Sequence, residues 1–247
     1  MINMLSTALL RDSSMYIYNS INTQQIVLTN LFLNLDANAY SGTGTTWYDL
    51  SGNNRDVSLV NNPSYTPSQY GYFQFTDTSY QYAITTSTVP NLSIWTIEAW
   101  YRPTKSFTGK VTSVISNEFD LVNKLNYSLG TNNAPSSYAL AGGYYNGAWR
   151  TTSGFTPTLN TWYQSVVTYD GSKITQYTNG VSQSTLTYSG TPQSGGKVRI
   201  ARRWDDSDTV SSNFFNGDIS IIRIYTISLT STQVLQNFNA IKQRYSL

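Results

Sequence analysis

Two turn dipeptides within one stretch of strand-forming residues constrain the fold of this chain most strongly. Residues 160–188 read NTWYQSVVTYDGSKITQYTNGVSQSTLTY, and the dipeptides Asp170-Gly171 and Asn179-Gly180 divide them into three segments. Both dipeptides tolerate positive φ and favour tight hairpin turns. The stretch therefore predicts three consecutive antiparallel strands. Apolar and polar side chains mix on both faces of these strands, which suits a sandwich sheet whose outer surface is aromatic and polar.

Three blocks of sequence, in order along the chain, carry a family resemblance. Thr161-Trp162-Tyr163 and Tyr177-Thr178-Asn179-Gly180-Val181 are similar to the central hairpin of laminin-G-like, concanavalin-A-like domains. The opening block, residues 31–54, resembles the branch of this superfamily that is common in phage and large-virus proteins. The closing block, Phe215-Asn216-Gly217-Asp218-Ile219 and then Ile222-Arg223-Ile224-Tyr225, resembles its last strand.

The resemblance implies an all-β fold, a two-sheet antiparallel jelly-roll sandwich of the concanavalin-A-like type. It assigns residues 31–247 to the sandwich, with a C-terminal helix at 231–244, and leaves residues 1–30 as an N-terminal arm or an extra edge strand. The length of 247 residues suits a single all-β unit.

Other segments have the strand signals that such a sandwich needs. Short runs at 57–60, 72–75 and 80–84 are separated by turn residues. The segment 95–101, WTIEAWY, has the strongest strand propensity and ends near Pro103, because proline cannot continue a ladder. In the resembled family this segment is a central strand, so we expect Glu98 to be a structural carboxylate.

The end of the chain predicts an amphipathic helix. Thr230, with Gln233 three residues later, forms a capping-box pattern. The apolar residues that recur at helical spacing, and so predict the face that packs on the sandwich, are Val234, Leu235, Phe238 and Ile241.

Leu31, Leu33 and Leu35 alternate with other residues and predict the first strand, and the glycine-containing segment 41–54 that follows is interpreted as an ordered loop. Gly42-x-Gly44 lacks a third glycine at the spacing of a phosphate loop. We expect Trp47 and Leu50 to pack inward and Asp49 to accept backbone hydrogen bonds. A ligand role for Asp49 is the alternative.

Composition excludes several classes of function. Cysteine and histidine are both absent, which removes Ser-His-Asp and Cys-His catalysis and the ordinary N/S zinc sites. Charged residues make up 11% and the net charge is +2, too little basic clustering for nucleic acid. The sequence contains no run of about 20 apolar residues, so it does not predict a membrane span. The N-terminus lacks a basic leading region, so we expect no cleaved signal peptide.

One acidic segment invites comparison with glucanases. Glu118-Phe119-Asp120 begins like the Glu-x-Asp-x-(x)-Glu signature of concanavalin-A-like glucanases, whose retaining mechanism needs two carboxyl groups about 5 Å apart. The sequence continues to Asn123 at the position expected for the acid/base. An amide cannot donate and recover a proton there, so we expect no enzyme and no catalytic residues.

A group of aromatic residues is the candidate carbohydrate site. Tyr144, Tyr145 and Trp149 lie close together around Gly142-Gly143 and Asn146-Gly147. Flat rings with amphipathic edges suit stacking against sugar faces. The alternative is a strand, turn and strand whose rings pack on the sheet.

A cluster of aspartates is the candidate metal site. Asp205, Asp206 and Asp208 could offer oxygen ligands to Ca²⁺, and many relatives in the resembled family depend on calcium, but their spacing is not that of an EF-hand loop. The alternative is a solvated loop paired with Arg202 and Arg203.

The first thirty residues lie outside the resemblance. They read either as a partly ordered tail or edge strand, or as an extended arm that docks on a neighbouring subunit. In the second case a partner would bury the apolar residues Ile17, Ile21, Ile26 and Val27.

The leading functional hypothesis is a non-enzymatic virion structural or accessory protein at the virion surface, as a capsid decoration or tail-associated subunit. Its partners would be other virion proteins or further copies of itself, held through the N-terminal arm. The alternative is an extracellular lectin or adhesin module for host-surface glycans. Glycoside hydrolysis, nucleic acid binding and membrane spanning are disfavoured.

Overall fold

The computed structural model describes residues 25–68, 70–107, 111–118, 125–131, 139–193, 196–203 and 213–247. Within them the chain forms sixteen β-strands, one α-helix and short 3-10 turns. The strands are β1 (Leu31–Asp36), β2 (Thr46–Trp47), β3 (Val57–Val60), β4 (Ser64–Thr66), β5 (Tyr72–Phe75), β6 (Tyr82–Thr85), β7 (Trp95–Pro103), β8 (Ser113–Glu118), β9 (Leu125–Thr131), β10 (Leu140–Tyr145), β11 (Trp149–Thr151), β12 (Tyr163–Tyr169), β13 (Lys173–Thr178), β14 (Val181–Thr187), β15 (Lys197–Ile200) and β16 (Gly217–Tyr225).

The strands build two antiparallel sheets that face one another. In the first sheet the order is β14-β13-β12-β7-β16-β5-β4, with β1 also paired to β16; in the second it is β11-β10-β9-β8-β15-β6-β3-β2. Their inner faces enclose one large aromatic and aliphatic core that includes Trp47, Phe73, Trp95 and Tyr127. The predicted all-β concanavalin-A-like sandwich is confirmed, including the strands expected near 57–60, 72–75, 80–84 and 95–101.

The hairpin that anchors the prediction forms as expected. β12, β13 and β14 are consecutive antiparallel neighbours. Asn179 and Gly180, between β13 and β14, both have positive φ, 50° and 78°. This is the conformation that a two-residue hairpin turn requires and that this dipeptide tolerates.

The C-terminal helix covers part of the outer face of the first sheet, over β16 and its neighbours, whereas β14 at the edge of the sheet is largely exposed. All nine residues of β16 are buried. The helix α1 (Ser231–Ile241) packs on this face through Val234, Asn237 and Ile241. The mixed faces of these strands therefore result from burial on both sides, with polar side chains paired to one another beneath the helix.

The helix begins as predicted and ends earlier. Thr230 and Gln233 form the capping box: the Gln233 amide donates to Thr230 Oγ1 at 3.3 Å, and the Thr230 amide donates to Gln233 Oε1 at 2.9 Å. The α-helix stops at Ile241 and Lys242–Tyr245 continues as a 3-10 turn. Leu235 lies at the rim of the packing face: its Cδ1 is beside the Gly180 turn, but 44% of the residue is exposed.

The residues just before β1 pack on their own chain. The Val27 amide donates to Asn237 Oδ1 at 2.8 Å, and Gln236 Nε2 donates to the Gln25 carbonyl at 2.8 Å. Val27 is buried, and Ile26 is partly buried against the cluster that contains Trp100 and Ile241. The expectation that a partner buries Val27 is corrected, since the chain's own helix and sheet already cover it, and they cover Ile26 in part. Ile17 and Ile21 lie outside the described residues.

The loop after β1 hydrogen-bonds to the edge of that strand that does not pair with β16. Asp49 accepts hydrogen bonds from the backbone amides of Asn34, Ser51 and Arg55 at 2.9 to 3.0 Å. Trp47 is buried in the core, as expected. Leu50 is exposed, so its predicted inward packing was wrong; its amide instead donates to the Asn34 carbonyl at 2.8 Å.

Candidate functional site

The candidate site is built on the hairpin between β10 and β11, at one end of the second sheet. The register pairs Tyr145 with Trp149 and Tyr144 with Arg150. Because side chains alternate across a strand, the two adjacent tyrosines point to opposite faces. Gly142 points inward, and a Cβ there would clash with Val167 of the opposite sheet. Glycine thus allows the two sheets to approach closely beneath the hairpin.

Tyr144 belongs to the core, so its predicted role in sugar binding is corrected. None of its surface is exposed, and its ring centroid lies 4.7 Å from that of Tyr169. The Tyr144 hydroxyl donates to the Tyr169 hydroxyl at 3.2 Å. Burial raises the pKa of the Tyr144 hydroxyl above its ordinary value. A ring between the sheets has no face to present to a ligand.

Tyr145 and Trp149 have the placement that a sugar platform needs. They lie opposite one another on neighbouring strands, with ring centroids 5.3 Å apart and planes at 69°. Both are partly exposed. The guanidinium carbon of Arg203 lies 4.5 Å from the Trp149 ring centroid, a distance at which the cation and the ring attract. The pair therefore forms a partly exposed aromatic corner held in place by neighbouring side chains.

Polar groups that sequence patterns did not indicate lie on the other face of the same hairpin, because the register pairs Arg150 with Tyr144 and not with Tyr145. The Arg150 guanidinium carbon sits 3.7 Å from the ring centroid of Tyr188. Arg150 Nε donates to Asn146 Oδ1 at 3.1 Å, and Arg150 NH2 donates to the Tyr188 hydroxyl at 2.8 Å. Tyr145 and Trp149 on one face, Asn146 in the turn, and Arg150 with Tyr188 on the other face are together called the hairpin corner. Asn146 and Arg150 could be identified from the turn itself, whereas Tyr188 comes from a segment 38 residues away.

The predicted metal ligands Asp205, Asp206 and Asp208 lie outside the described residues. In the part of the chain that the structure describes, no group of three or more Asp, Glu, His or Cys side chains is arranged to hold a metal ion. Arg203, which precedes the cluster, donates its backbone amide to the Asn213 carbonyl at 2.9 Å. The calcium site stays a prediction.

The carboxylates weighed for catalysis have different outcomes. Residues 119–123, including Asp120 and Asn123, lie outside the described residues. Glu98 is fully buried and bonded to Trp100, Gln164, Arg223 and Asn237. Its predicted structural role is confirmed.

Among the described helices, none combines the length and apolar character that crossing a membrane requires.

A comparison with known protein families finds a match for most of this chain. The family model of the Concanavalin A-like lectin/glucanases superfamily, in its laminin-G form, matches residues 75–235. The chain belongs to this superfamily. The matched region contains the β7–β12–β13–β14 half of the first sheet and the hairpin corner. A comparison with curated protein sequences finds no significant match.

Solved structures with the superfamily's fold include several binding domains. Domain 4 of AbnA, an extracellular GH43 arabinanase from Geobacillus stearothermophilus, was solved in complex with arabinotriose; it is 16% identical, with a TM-score of 0.63 over 84% of this chain and 98% of that one. The binding domain of Paraclostridial Mosquitocidal Protein 1 is 15% identical, with a TM-score of 0.65 over 86% of this chain and 52% of that one.

A toxin domain has a similar match. The binding domain of botulinum neurotoxin serotype C1 is 17% identical, with a TM-score of 0.65 over 87% of this chain and 52% of that one. This chain therefore spans about half of each toxin binding domain. At such identities the likeness shows the fold alone, and the neighbours with that fold are mostly binding domains rather than catalytic ones.

Proposed function

We propose that this chain is a carbohydrate-binding module without catalytic activity, and that the hairpin corner is its sugar-contacting surface. The observation that carries the proposal is the Tyr145–Trp149 pair, which is partly exposed with ring centroids 5.3 Å apart. Such rings supply apolar area for the C–H face of a sugar, while their edges stay compatible with water.

The polar part of the hairpin corner supports the same ligand class. Asn146, in the turn that follows Tyr145, offers an amide that can hydrogen-bond the hydroxyls of a sugar resting on the aromatic pair. From the other face of the hairpin, Arg150 donates to Asn146 Oδ1, so this amide is oriented before a ligand arrives, which lowers the entropic cost of binding. The arabinotriose bound to the AbnA domain, and the dependence of botulinum neurotoxin type C entry on two gangliosides, give precedent on this fold.

The test is a glycan array on the full chain, followed by titration of the strongest hit against variants. We expect Tyr145→Ala and Trp149→Ala each to weaken binding about tenfold or more, because each loses the contact area of one ring. Tyr48→Ala is the matched control, since Tyr48 is 58% exposed and follows β2 at the opposite end of the second sheet. Absence of glycan binding, or equal binding by all three variants, would contradict the proposal.

Calcium dependence belongs to the same experiment. The cluster of Asp205, Asp206 and Asp208 begins two residues after Arg203, whose guanidinium lies over Trp149. The array is therefore run with calcium and again with a chelator. Loss of binding on chelation supports a calcium site near the hairpin corner, and binding that persists contradicts it.

A virion surface role is the second candidate. It is supported by the resemblance of residues 31–54 to phage and large-virus proteins, and it is compatible with a glycan-binding corner that faces a host. An extracellular adhesin is the alternative setting. Partners or further copies would be held through residues 1–24, which contain Ile17 and Ile21. Removal of residues 1–24 is expected to abolish assembly, measured by light scattering; unchanged assembly would argue against this anchoring role.

A further inference from the structure

A row of polar side chains crosses the outer face of the first sheet, whereas the hairpin corner lies on the second sheet. Gln74 on β5 pairs with Asp218 on β16, and Asp218 pairs with Arg102 on β7. Phe73 and Phe75, on either side of Gln74, point into the core, so the alternation of β5 turns Gln74 outward. Gln74, Asp218 and Arg102 are called the outer row.

The C-terminal segment leaves the two ends of the outer row, Gln74 and Arg102, accessible, while Asp218 between them is buried. Its last aromatic residue, Tyr245, stacks on Trp100 and contacts Trp162, each with ring centroids 4.7 Å apart. Gln74 is exposed, and 30% of the Arg102 side chain is exposed. The helix therefore covers one part of this sheet face and ends short of the outer row.

Two aromatic rings flank the guanidinium of the outer row. The guanidinium carbon of Arg102 lies 5.3 Å from the Tyr72 ring centroid and 5.4 Å from that of Trp162. The two rings contact each other edge to face at 5.7 Å. Tyr72 is partly exposed. Apolar ring surface and hydrogen-bonding groups thus meet at one place on this face.

The carboxylate of Asp218 is half satisfied. Its Oδ2 accepts from Arg102 Nε at 2.7 Å, whereas Oδ1 accepts no hydrogen bond from the described residues, although the side chain is 0% exposed. A buried acceptor without a partner is unfavourable, so an added donor stabilises it. Its two neighbours in the row, Gln74 and Arg102, reach the solvent and have rotatable side chains, so a donor reaches this oxygen only when one of them changes rotamer.

The charges select the chemistry of that donor. Arg102 already neutralises Asp218, so a second cation is not needed, and an anion would be repelled by the carboxylate. A neutral hydroxyl can donate to Asp218 Oδ1, and an adjacent hydroxyl can accept from Arg102 or from the Gln74 amide. The carbon face between them can rest on the Tyr72 ring. We propose that the outer row is a second carbohydrate site, for neutral sugars with adjacent hydroxyls, beyond the function proposed for the hairpin corner.

The test counts sites and then removes each separately. Isothermal titration with arabinotriose, and with the strongest neutral hit from the array, should show two sites on the unaltered chain and one on Trp149→Ala. In that Trp149→Ala background, Asp218→Asn should weaken the remaining site about tenfold or more, because an amide that keeps its oxygen on Arg102 presents an NH2 donor where Oδ1 was the acceptor. Gln74→Ala should weaken it as well, and since Gln74 is exposed, this change removes a contact without endangering the fold.

The outcomes separate the two proposals. Binding lost by Asp218→Asn and Gln74→Ala, with the same melting temperature for Gln74→Ala, supports the outer row whether or not Trp149→Ala has an effect. Binding by a single site that Trp149→Ala abolishes would overturn the outer row while upholding the hairpin corner. Titrations that Gln74→Ala and Asp218→Asn leave unchanged would also overturn it.

Discussion

Glu98 and Arg223 face one another across β7 and β16, and Arg223 NH1 lies 3.1 Å from Glu98 Oε1. The Glu98 side chain is fully buried, and 3% of the Arg223 side chain is exposed. Asn237 of the helix donates to Glu98 Oε2 at 2.8 Å, and Arg223 Nε donates to Asn34 Oδ1 of β1 at 3.1 Å. One ion pair thus joins the central strands, the first strand and the C-terminal helix.

Removal of one partner of this pair should be costly. We expect Glu98→Ala to lower the free energy of unfolding by about 3–5 kcal/mol, because Arg223 remains as a buried charge without its counterion. Urea unfolding followed by tryptophan fluorescence measures the loss. The double variant Glu98→Met with Arg223→Met is the control and should recover much of the stability, since no buried charge remains. A Glu98→Ala variant within about 0.5 kcal/mol of the parent would refute this account.

The adjacent tyrosines 144 and 145 should respond very differently to truncation. Tyr144→Ala creates a cavity between the sheets and should cost about 3–5 kcal/mol. Tyr145→Ala removes a partly exposed ring and its edge contact with Trp149, and should cost about 1 kcal/mol. Thermal unfolding monitored by circular dichroism separates them. Equal losses for both variants would mean that the strand places neither ring as described.

Gly180 should tolerate substitution poorly for two reasons that can be separated. Its φ is +78°, and an added Cβ would lie 3.0 Å from Leu235 Cδ1 and 3.2 Å from Phe238 Cδ1. Gly147 also has positive φ, +97°, but an added Cβ there meets nothing within 4 Å. We expect Gly147→Ala to lose about 1–2 kcal/mol from backbone strain alone. Gly180→Ala should lose more, because the helix must shift as well; chemical denaturation of both variants checks the order.

The buried carboxyl of the outer row should be visible in the pH dependence of stability. Burial raises the pKa of Asp218 above its ordinary value of 3.8, although the bond and charge of Arg102 oppose the shift. Just above pH 3.8 the folded state then binds more protons than the unfolded state, so the contribution of Asp218 to stability declines as pH rises through the raised pKa. The stability of the parent minus that of Asp218→Asn should therefore fall between pH 3 and pH 7.

Asp170 provides a control of opposite sign for that measurement. Burial acts to raise its pKa, but the hydrogen bonds from Ser172 and Lys173 lower it below 3.8. Its contribution is present above the unfolded pKa and is lost as pH falls, so the difference between parent and Asp170→Asn should grow from low to neutral pH. Two differences that change in the same direction would contradict the assignment for Asp218.

Features that depend on neighbouring residues could be read from the sequence. The Asn179-Gly180 turn, the capping box of Thr230 and Gln233, and the inward packing of Trp47 all form as the local patterns predicted. Turn conformation and helix capping are decided by hydrogen bonds within a few residues. Together with the family resemblance, they were sufficient for the fold class.

Features that depend on strand register and on what covers a sheet were decided by the tertiary structure alone. A register shift of one residue exchanges the two faces of a strand. The sequence pattern therefore could not decide that Tyr144 enters the core while Tyr145 faces outward with Trp149. The Arg150–Tyr188 contact and the outer row join residues 38 and more than 100 positions apart. The sequence by itself determined the strands, their turns and the closing helix. Only the packing of two sheets and a helix decided which polar and aromatic side chains remain available to a ligand.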